Sequence, residues 1–311
     1  MSRVAVVIPT YNNLSELRLC LAALTQQTYQ DFTAYVCVDG STDGTQQYLQ
    51  QVSHPNVVML QHGDGRNHGR NATRNLILPY LERHEWVAFL DSDSLPLPTW
   101  LEAFFAVQPL PSEVLLGRIL YFSEDNPHPW VIYLRWREQV RASQMAGPRH
   151  FITINAFMPA EVMRRIGGMD PNIKRYGLGD VEFGYRLAAA GMRFRYIAAA
   201  TVWSRVQQSL SEALIRLYDM AQHNLPYLHQ KHPSSRDELF GGKWLYQSSR
   251  RFLLQLFMQP FIARWILQKV EGKPAFIQRW LVRYLVFYAV ARGFWKRKLG
   301  LPPLKRLRPF P

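Results

Sequence analysis

Residues 86–93 read WVAFLDSD, five apolar side chains followed by two aspartates two positions apart. The apolar run is too short for an independent helix and predicts a buried strand. Two carboxylates at the end of such a strand are costly to desolvate unless a cation lies beside them. Carboxylate oxygens suit Mg²⁺ or Mn²⁺, and these ions commonly also bind phosphate oxygens. Asp91 and Asp93 therefore predict a site for a divalent metal and a diphosphate.

Three more apolar runs precede this stretch, at residues 4–8, 34–38 and 57–60, and helix-like segments at 14–24 and 45–52 separate them. This alternation predicts an α/β fold with a mostly parallel central sheet. In such sheets the ligand crevice lies beyond the carboxyl ends of the strands. The candidate site residues that the sequence places there are Pro9, Thr10, Tyr11, Asp39, Ser41, Asp43, Asp91, Ser92 and Asp93. Further on, apolar runs lie at 114–116, 119–122 and 151–157, helices are predicted at 160–166, 181–190 and 209–229, and a strand at 194–202.

The charge of the chain is uneven. The net charge is +14, yet residues 1–230 hold 20 basic and 20 acidic side chains, whereas residues 231–311 hold 17 and 3. We therefore predict two domains, a catalytic domain at 1–230 and a basic amphipathic helical extension at 231–311. The neutral charge of the part that carries the polar set argues against a nucleic-acid-binding function, which would show a steep salt dependence.

From residue 244 onward aromatic and aliphatic residues alternate with basic ones. In one predicted helix Arg279 and Arg283 share a face, and apolar area comes from Trp280, Leu281, Leu285, Val286 and Tyr288. A basic amphipathic helix of this kind suits an anionic membrane surface. The alternatives are a helix packed on the catalytic domain and a nucleic-acid patch.

No apolar run is long enough for a signal peptide or a spanning helix. The two cysteines, Cys20 and Cys37, are expected to be buried thiols in a reducing cytoplasm.

Two loops carry further candidates. Residues 39–45, DGSTDGT, follow a strand and open a helix; this is ordinary turn and cap chemistry, or a place where Asp39 accepts hydrogen bonds from a nucleotide. Arg70 and Arg74 are four residues apart and can share a helical face. Their guanidinium groups could offset the charge of a diphosphate, although exposed arginine pairs are common.

At this point the chain closely resembles the family 2 glycosyltransferases. The resemblance rests on ordered blocks: VIPTYN at 7–12, VDGSTDGT at 38–45, Asn67, Gly69, Arg74 and Asn75, FLDSD at 89–93, GGMD at 167–170 and YGLGDVE at 176–182. It covers roughly the first 200 residues. It implies the GT-A fold and an inverting transfer from a nucleotide-sugar donor.

The resemblance also implies roles for matching residues. Thr10, Tyr11, Asp39 and Asp43 would border the nucleotide. Residues 91–93 would be the D-x-D motif, with Asp93 as the main metal ligand and Asp91 beside it on the metal, ribose or sugar. Asp180 would be the general base for the acceptor hydroxyl; the alternative is an ordinary helix N-cap before Val181.

The sequence departs from the family pattern twice. Gly179 stands where many members carry a glutamate before the aspartate, and Trp203 and Ser204 stand where some relatives supply a metal-binding histidine. His68 and His223 are not at matching positions. We therefore expect phosphate oxygens and water to complete the coordination of the metal.

These inferences predict an inverting glycosyltransferase that requires Mn²⁺ or Mg²⁺. It would move a sugar from a UDP- or dTDP-linked donor to a hydroxyl of a glycan or lipid-linked acceptor. An Asp180 with an ordinary pKa near 4 would be ionised at pH 7 and ready to accept a proton. We expect a cytoplasmic protein that contacts the inner face of the cell membrane peripherally through residues 244–311, with no nucleic-acid partner. The alternative from another class is a non-catalytic nucleotide- or glycan-binding protein on the same scaffold, which would show affinity without turnover.

Overall fold

A computed structural model describes residues 2–51, 56–124, 128–143, 147–240, 245–246 and 258–299, and of residues 297–299 it describes the backbone alone. The chain divides into two compact units. Unit 1 comprises Met1–Tyr121, Glu138–Lys174 and Gly179–Arg205, and unit 2 comprises Phe122–Arg137, Arg175–Leu178 and Val206–Pro311. The domain boundary at residue 230 stays a prediction.

The strands are β1 (Val4–Thr10), β2 (Phe32–Val38), β3 (Val57–Gln61), β4 (Trp86–Leu90), β5 (Ser94–Pro96), β6 (Glu113–Phe122), β7 (Asn155–Pro159) and β8 (Arg193–Arg205). The α-helices are α1 (Leu14–Thr25), α2 (Thr45–Gln51), α3 (Arg70–Arg74), α4 (Trp100–Ala106), α5 (Pro129–Ser143), α6 (Ala160–Arg165), α7 (Gly179–Ala189), α8 (Leu210–Lys231), α9 (Ser235–Glu238), α10 (Pro260–Lys269) and α11 (Ala275–Leu299). Short 3₁₀ helices span Asn75–Arg83 and Pro148–His150.

One sheet contains the strands in the order β3-β2-β1-β4-β7-β6-β8-β5. The first four of these are parallel, and Val4 of β1 lies opposite Phe32 on one side and Trp86 on the other. All residues of β4 are buried, as the apolar run predicts. The carboxyl ends of parallel strands share one edge of a sheet, so the segments after β1, β2 and β4 come together. The predicted α/β fold and its four parallel strands are confirmed.

The far half of the sheet contains antiparallel pairs. β7 pairs with β4, Leu90 opposite Asn155, and β6 pairs in turn with β7. The apolar runs at 114–116 and 119–122 belong to the single strand β6, and α5 has no counterpart among the predicted helices. The helices predicted at 160–166, 181–190 and 209–229 correspond to α6, α7 and α8.

The helix α1 shows how the local pattern produces packing. Leu17, Leu21 and Leu24 recur at helical spacing and are buried together with Cys20. Each such leucine contributes about 1.5–3 kcal/mol relative to an exposed one. Burial raises the pKa of the Cys20 thiol, and it raises that of Cys37 to about 12. Both thiols are free and buried, as predicted.

In unit 2, α11 packs against α8. Leu285, Val286 and Tyr288 of α11 are buried. An added Cβ at Gly293 would lie 2.2 Å from the carbonyl oxygen of Tyr218, so the two helices approach closely there. Leu285, Val286 and Tyr288, which the sequence assigns to a membrane surface, are thus buried in a helix that packs on α8, and the contact of the extension with a membrane stays a prediction. Trp244, residues 247–257 and residues 300–311 of the predicted membrane segment lie outside the described residues. Among the helices that are described, none combines the length and apolarity needed to cross a membrane.

Candidate functional site

Asp39, at the end of β2, organises the loop that leads into α3. Its carboxylate accepts hydrogen bonds from the backbone amides of His68 and Gly69, at 2.7 and 3.1 Å, and it is 4% exposed. The next residue, Gly40, has φ +71°, and a Cβ there would lie 2.7–2.8 Å from backbone atoms of residues 65–67. The Asp-Gly pair is therefore required for the loop to approach β2.

Asp43 and Ser41 connect the same loop to α1. Asp43 accepts from the amide of Leu14 at 2.9 Å and from the amide and hydroxyl of Thr45 at 3.2 and 2.6 Å. Burial acts to raise its pKa, but these hydrogen bonds outweigh that effect and lower the pKa below its usual value. The Ser41 hydroxyl accepts from the amide of Asn12 at 3.1 Å. In the structure both side chains hold helix starts in place; their predicted contact with a donor stays a prediction.

The residues after β1 and β4 lie side by side. Asn13 donates a hydrogen bond to the Ser92 hydroxyl at 3.1 Å. Tyr11 is 52% exposed, whereas Thr10 is 3% exposed. The Thr10 hydroxyl is buried and finds no hydrogen-bond partner among the described residues. A buried polar group without a partner costs about 1–3 kcal/mol, so this position is suited to a ligand group that supplies one. Pro9, the residue before it, is half-buried.

Arg74 forms an ion pair with Asp91. One of its Nη atoms lies 2.6 Å from a carboxylate oxygen of Asp91, and the two side chains are 4% and 18% exposed. The two arginines that the sequence assigns to a diphosphate therefore differ, because the charge of Arg74 is already compensated by Asp91 of the protein itself. The charge of Arg70, one helical turn earlier, acts on Asp93, whose pKa it lowers.

Asp93 is a carboxylate in an unfavourable environment for its charge. Desolvation is the main cause that raises its pKa to about 7, and the nearby charge of Asp91 adds to it. A divalent cation would relieve both effects, because it compensates two carboxylates at once. Hard oxygen donors are also the ligands that Mg²⁺ and Mn²⁺ prefer. Asp93 and Asp91 thus fit such an ion. In the described part of the chain no group of three His, Cys, Asp or Glu residues is arranged to hold a metal alone.

Asp180 lies in the first turn of α7 and accepts a hydrogen bond from the Thr153 hydroxyl at 2.9 Å. Desolvation raises its pKa above the ordinary value, Asp91 adds to this, and Arg74 and Thr153 act in the opposite direction. The ordinary pKa assumed from the sequence is therefore wrong. Arg74, Asp91, Asp93 and Asp180 form one electrostatically connected group, which we call the carboxylate cluster.

Close packing explains why a glycine stands at position 179, where the sequence departs from the family pattern. An added Cβ at Gly179 would lie 2.7 Å from the side-chain amide of Asn71. That amide in turn donates to the carbonyl of Asp170 at 2.8 Å. One turn later Asn75 both donates to and accepts from the backbone of Met169, at 2.7 and 2.8 Å. These contacts hold the segment before α7 against α3, and thereby place Asp180.

Sequence reasoning missed three contributors to the site. Thr153 reaches Asp180 from a distant segment. The amide of Arg205 donates to the carbonyl of Asp93 at 3.4 Å, and its guanidinium lies 3.3 Å from Glu16. The charge of Glu16 contributes to the raised pKa of Asp93. Trp203 and Ser204 lie on β8, opposite Leu95 and Ser94 of β5. The sequence holds no local signal for these contacts, because the partners are 27 to 189 residues apart.

Comparisons with known proteins identify the family of the chain. The family model "Glycosyl transferase family 2" matches residues 5–167, more than half of the 311-residue chain. Validoxylamine A glucosyltransferase of Streptomyces hygroscopicus subsp. jinggangensis is 29% identical over 271 residues, 76% of this chain and 62% of that protein. Chondroitin synthase of Escherichia coli is 23% identical over 270 residues, 73% of this chain and 39% of that protein. The chain thus spans less than two thirds of the length of either relative.

Solved structures agree on the fold. The mannosyltransferase PcManGT of Pyrobaculum calidifontis, in complex with GDP-Man and Mn²⁺, superposes with a TM-score of 0.59 at 19% identity, over 96% of this chain and 87% of that one. TarS of S. aureus, residues 1–349 in complex with UDP, superposes with a TM-score of 0.55 at 16% identity, over 96% of this chain and 92% of that one. The predicted GT-A fold is confirmed.

Proposed function

This chain belongs to glycosyl transferase family 2, and on that basis we propose that it transfers a sugar from a nucleotide diphosphate donor to an acceptor hydroxyl with inversion. The observation that supports this most directly is the carboxylate cluster. Asp91 and Asp93 follow β4, and Asp180 comes close enough from α7 for Asp91 to affect its pKa. An inverting transfer needs these two functions near each other: charge compensation for the leaving group, and a base for the nucleophile.

The donor would lie along the ends of β1, β2 and β4. Tyr11 offers an exposed ring, and the partnerless hydroxyl of Thr10 offers a buried hydrogen-bonding group. Asp39 and Asp43 contribute by holding the surrounding loops, and Arg70 adds positive charge near Asp93. A UDP- or dTDP-sugar is the proposed donor. The related structures bind GDP-Man in one case and UDP in another.

Asp93, with Asp91 beside it, would hold Mn²⁺ or Mg²⁺ together with diphosphate oxygens and water. The bound ion would compensate the negative charge that develops on the departing diphosphate. The ion pair with Arg74 keeps Asp91 oriented. Ser92, between the two aspartates, is held by Asn13.

Asp180 would act as general base. The acceptor oxygen forms its bond to the anomeric carbon as the bond to the diphosphate oxygen breaks, and the proton of the acceptor hydroxyl passes to Asp180. A raised pKa makes this carboxylate a stronger base than an ordinary aspartate, which favours proton transfer near neutral pH. Thr153 orients the carboxylate through its hydroxyl.

The acceptor is proposed to be a glycan or a lipid-linked saccharide at the inner face of the cell membrane. Two relatives bear names of polysaccharide synthases, chondroitin synthase and hyaluronan synthase. The basic excess of residues 231–311 supports a peripheral contact with anionic lipids.

The test uses the full chain and a panel of nucleotide sugars. Thermal stabilisation with and without Mn²⁺ identifies the donor, and release of the nucleoside diphosphate then reports turnover, in water or with an added saccharide acceptor. We expect one donor to stabilise the protein in a metal-dependent way and to be turned over. Metal-dependent stabilisation with no turnover by the wild type under any acceptor would instead establish the non-catalytic binding protein. Stabilisation by no nucleotide sugar would refute both.

A further inference from the structure

Two helices of unit 2 expose large aromatic side chains. Phe261 and Trp265 of α10 are 69% and 61% exposed, and Phe276 and Trp280 of α11 are 57% and 66% exposed. Each pair is four residues apart, so its members share one face of their helix. We call residues 260–283 the aromatic hairpin. Four exposed rings on two adjoining helices exceed the scattered apolar residues of an ordinary surface.

The exposed rings are not needed to anchor the two helices to the rest of unit 2. Both helices already bury another face, through Ala263 and Ile266 of α10 and through Val282 and Leu285 of α11. The helices are also in contact with each other. Each helix therefore presents an exposed aromatic pair in addition to its buried face, and together we call these four residues the aromatic face.

The charge of the segment that carries these rings is predominantly positive. Residues 258–299 contain nine Lys and Arg residues and a single acidic residue, Glu271. Arg264, Lys269 and Lys273 are exposed within the hairpin. The guanidinium of Arg283 lies 5.3 Å from the centre of the Trp280 ring. Any partner that covers the aromatic face must accept this positive charge.

We propose that the aromatic hairpin docks on an anionic lipid bilayer, with Phe261, Trp265, Phe276 and Trp280 entering the interfacial region. Tryptophan and phenylalanine beside lysine and arginine are the composition of interfacial helices, and tryptophan is enriched at the level of the lipid headgroups. A second copy of the chain is a poorer occupant, because it would bring two sets of like charges together. The inference rests on the proposed peripheral location and identifies the surface that produces it. Of the apolar residues predicted from the sequence it keeps the exposed Trp280, omits the buried Leu285, Val286 and Tyr288, and adds Phe261, Trp265 and Phe276.

Cosedimentation of the full chain with vesicles tests this surface. The vesicles are phosphatidylcholine with or without one quarter phosphatidylglycerol. The aromatic variant carries Phe261→Ser, Trp265→Ser, Phe276→Ser and Trp280→Ser. Its control carries Leu110→Ser and Ile215→Ser, two apolar residues outside residues 260–283 that are 47% and 42% exposed. We expect the aromatic variant to lose at least tenfold in affinity for anionic vesicles, and the control to bind as the wild type does.

A second pair of variants tests the charge. Arg264→Gln with Lys269→Gln removes two exposed basic residues of the hairpin, and Arg83→Gln with Arg165→Gln removes two exposed ones from unit 1. Each basic residue near an anionic surface contributes a factor of about five, so the first pair should lose roughly 25-fold and the second pair little. Circular dichroism and thermal unfolding verify that every variant is folded.

Several results would overturn the proposal. They are equal binding of the wild type to neutral and anionic vesicles, unchanged binding of the aromatic variant, and displacement of the vesicles by a single-stranded oligonucleotide. Another is wild-type self-association that only the aromatic variant abolishes while vesicle binding persists. Donor turnover is measured in the same samples without vesicles. Turnover without vesicle binding refutes the docking surface alone, whereas vesicle binding without turnover refutes the proposed catalysis alone.

Discussion

Asp39 and Asp43, at the end of β2, differ from Asp93 and Asp180 in how their carboxylates are compensated. Asp39 and Asp43 accept hydrogen bonds from backbone amides, and the pKa of Asp43 is lowered. Asp93 and Asp180 are desolvated, and their pKa values are raised. An aspartate that receives amide donors stabilises the fold in its charged form. Desolvation favours the binding of a metal ion or a proton by such a carboxylate, and this contrast supports the proposed roles of Asp93 and Asp180 in metal binding and proton transfer.

The sharpest test of this contrast is Asp180→Asn. Removing a general base typically lowers turnover by about 10²- to 10⁴-fold. Since the asparagine keeps the shape of the side chain and no charge must be desolvated, we expect donor affinity and thermal stability to be retained. Steady-state release of the nucleoside diphosphate measures the loss, and calorimetric titration with the donor measures affinity. A variant that keeps more than a tenth of wild-type turnover would exclude Asp180 as the base.

Arg74→Leu should give the next largest effect, on stability. It leaves the carboxylate of Asp91 without its buried partner, and breaking a buried ion pair in this way costs about 3–5 kcal/mol. Urea denaturation of both proteins measures the difference. The double variant Arg74→Leu with Asp91→Asn is the control, and it should recover much of the loss because Asp91 no longer leaves an unpaired charge. Equal destabilisation in the single and the double variant would contradict this account of the pair.

Asp93→Asn should affect metal and donor together. In the wild type, Mn²⁺ with donor at 100 times their dissociation constant should stabilise the protein by about 2.7 kcal/mol, and the variant should lose most of this. Without metal, the variant should be at least as stable as the wild type, since a carboxylate with a raised pKa is unfavourable when charged. Thermal unfolding with Mn²⁺ and with a chelator separates the two statements. Undiminished Mn²⁺ protection in the variant would place the metal elsewhere.

The contrast between these aspartates also shows which features of the structure can be predicted from the sequence. The apolar runs and their spacing predict β1 to β4, α1 and α2, because parallel strands and amphipathic helices leave local patterns. The position of Asp91 and Asp93 at a strand end follows from the same pattern. The sequence pattern does not predict which aspartate accepts hydrogen bonds from backbone amides. The amides of His68 and Gly69 reach Asp39 only when the chain folds, from a loop about 30 residues away.

The antiparallel pairing in the second half of the sheet could not be predicted from local sequence patterns for a similar reason. The pairing of Leu90 with Asn155 joins segments 65 residues apart, and no periodicity reports such a register. The four-residue spacing of Arg70 and Arg74 predicts a shared helical face, but it contains no sign that Arg74 forms an ion pair with Asp91. The contact of Thr153 with Asp180 was hidden in the same way.

The smallest expected effect belongs to Asp43→Asn, which tests the structural side of the comparison. The variant loses charge-assisted hydrogen bonds to the amides of Leu14 and Thr45, and a lost helix-start contact of this kind costs about 1 kcal/mol. Because the folded pKa of Asp43 lies below its unfolded value, its contribution is complete above about pH 4, the unfolded pKa. That contribution disappears as the pH falls through the folded pKa. The stability difference between wild type and variant, from urea denaturation at pH 7 and at successively lower pH, should therefore shrink on acidification. A difference that is constant with pH would show that the charge of Asp43 adds nothing to the fold, and the distinction between the two environments would then rest on Asp39 alone.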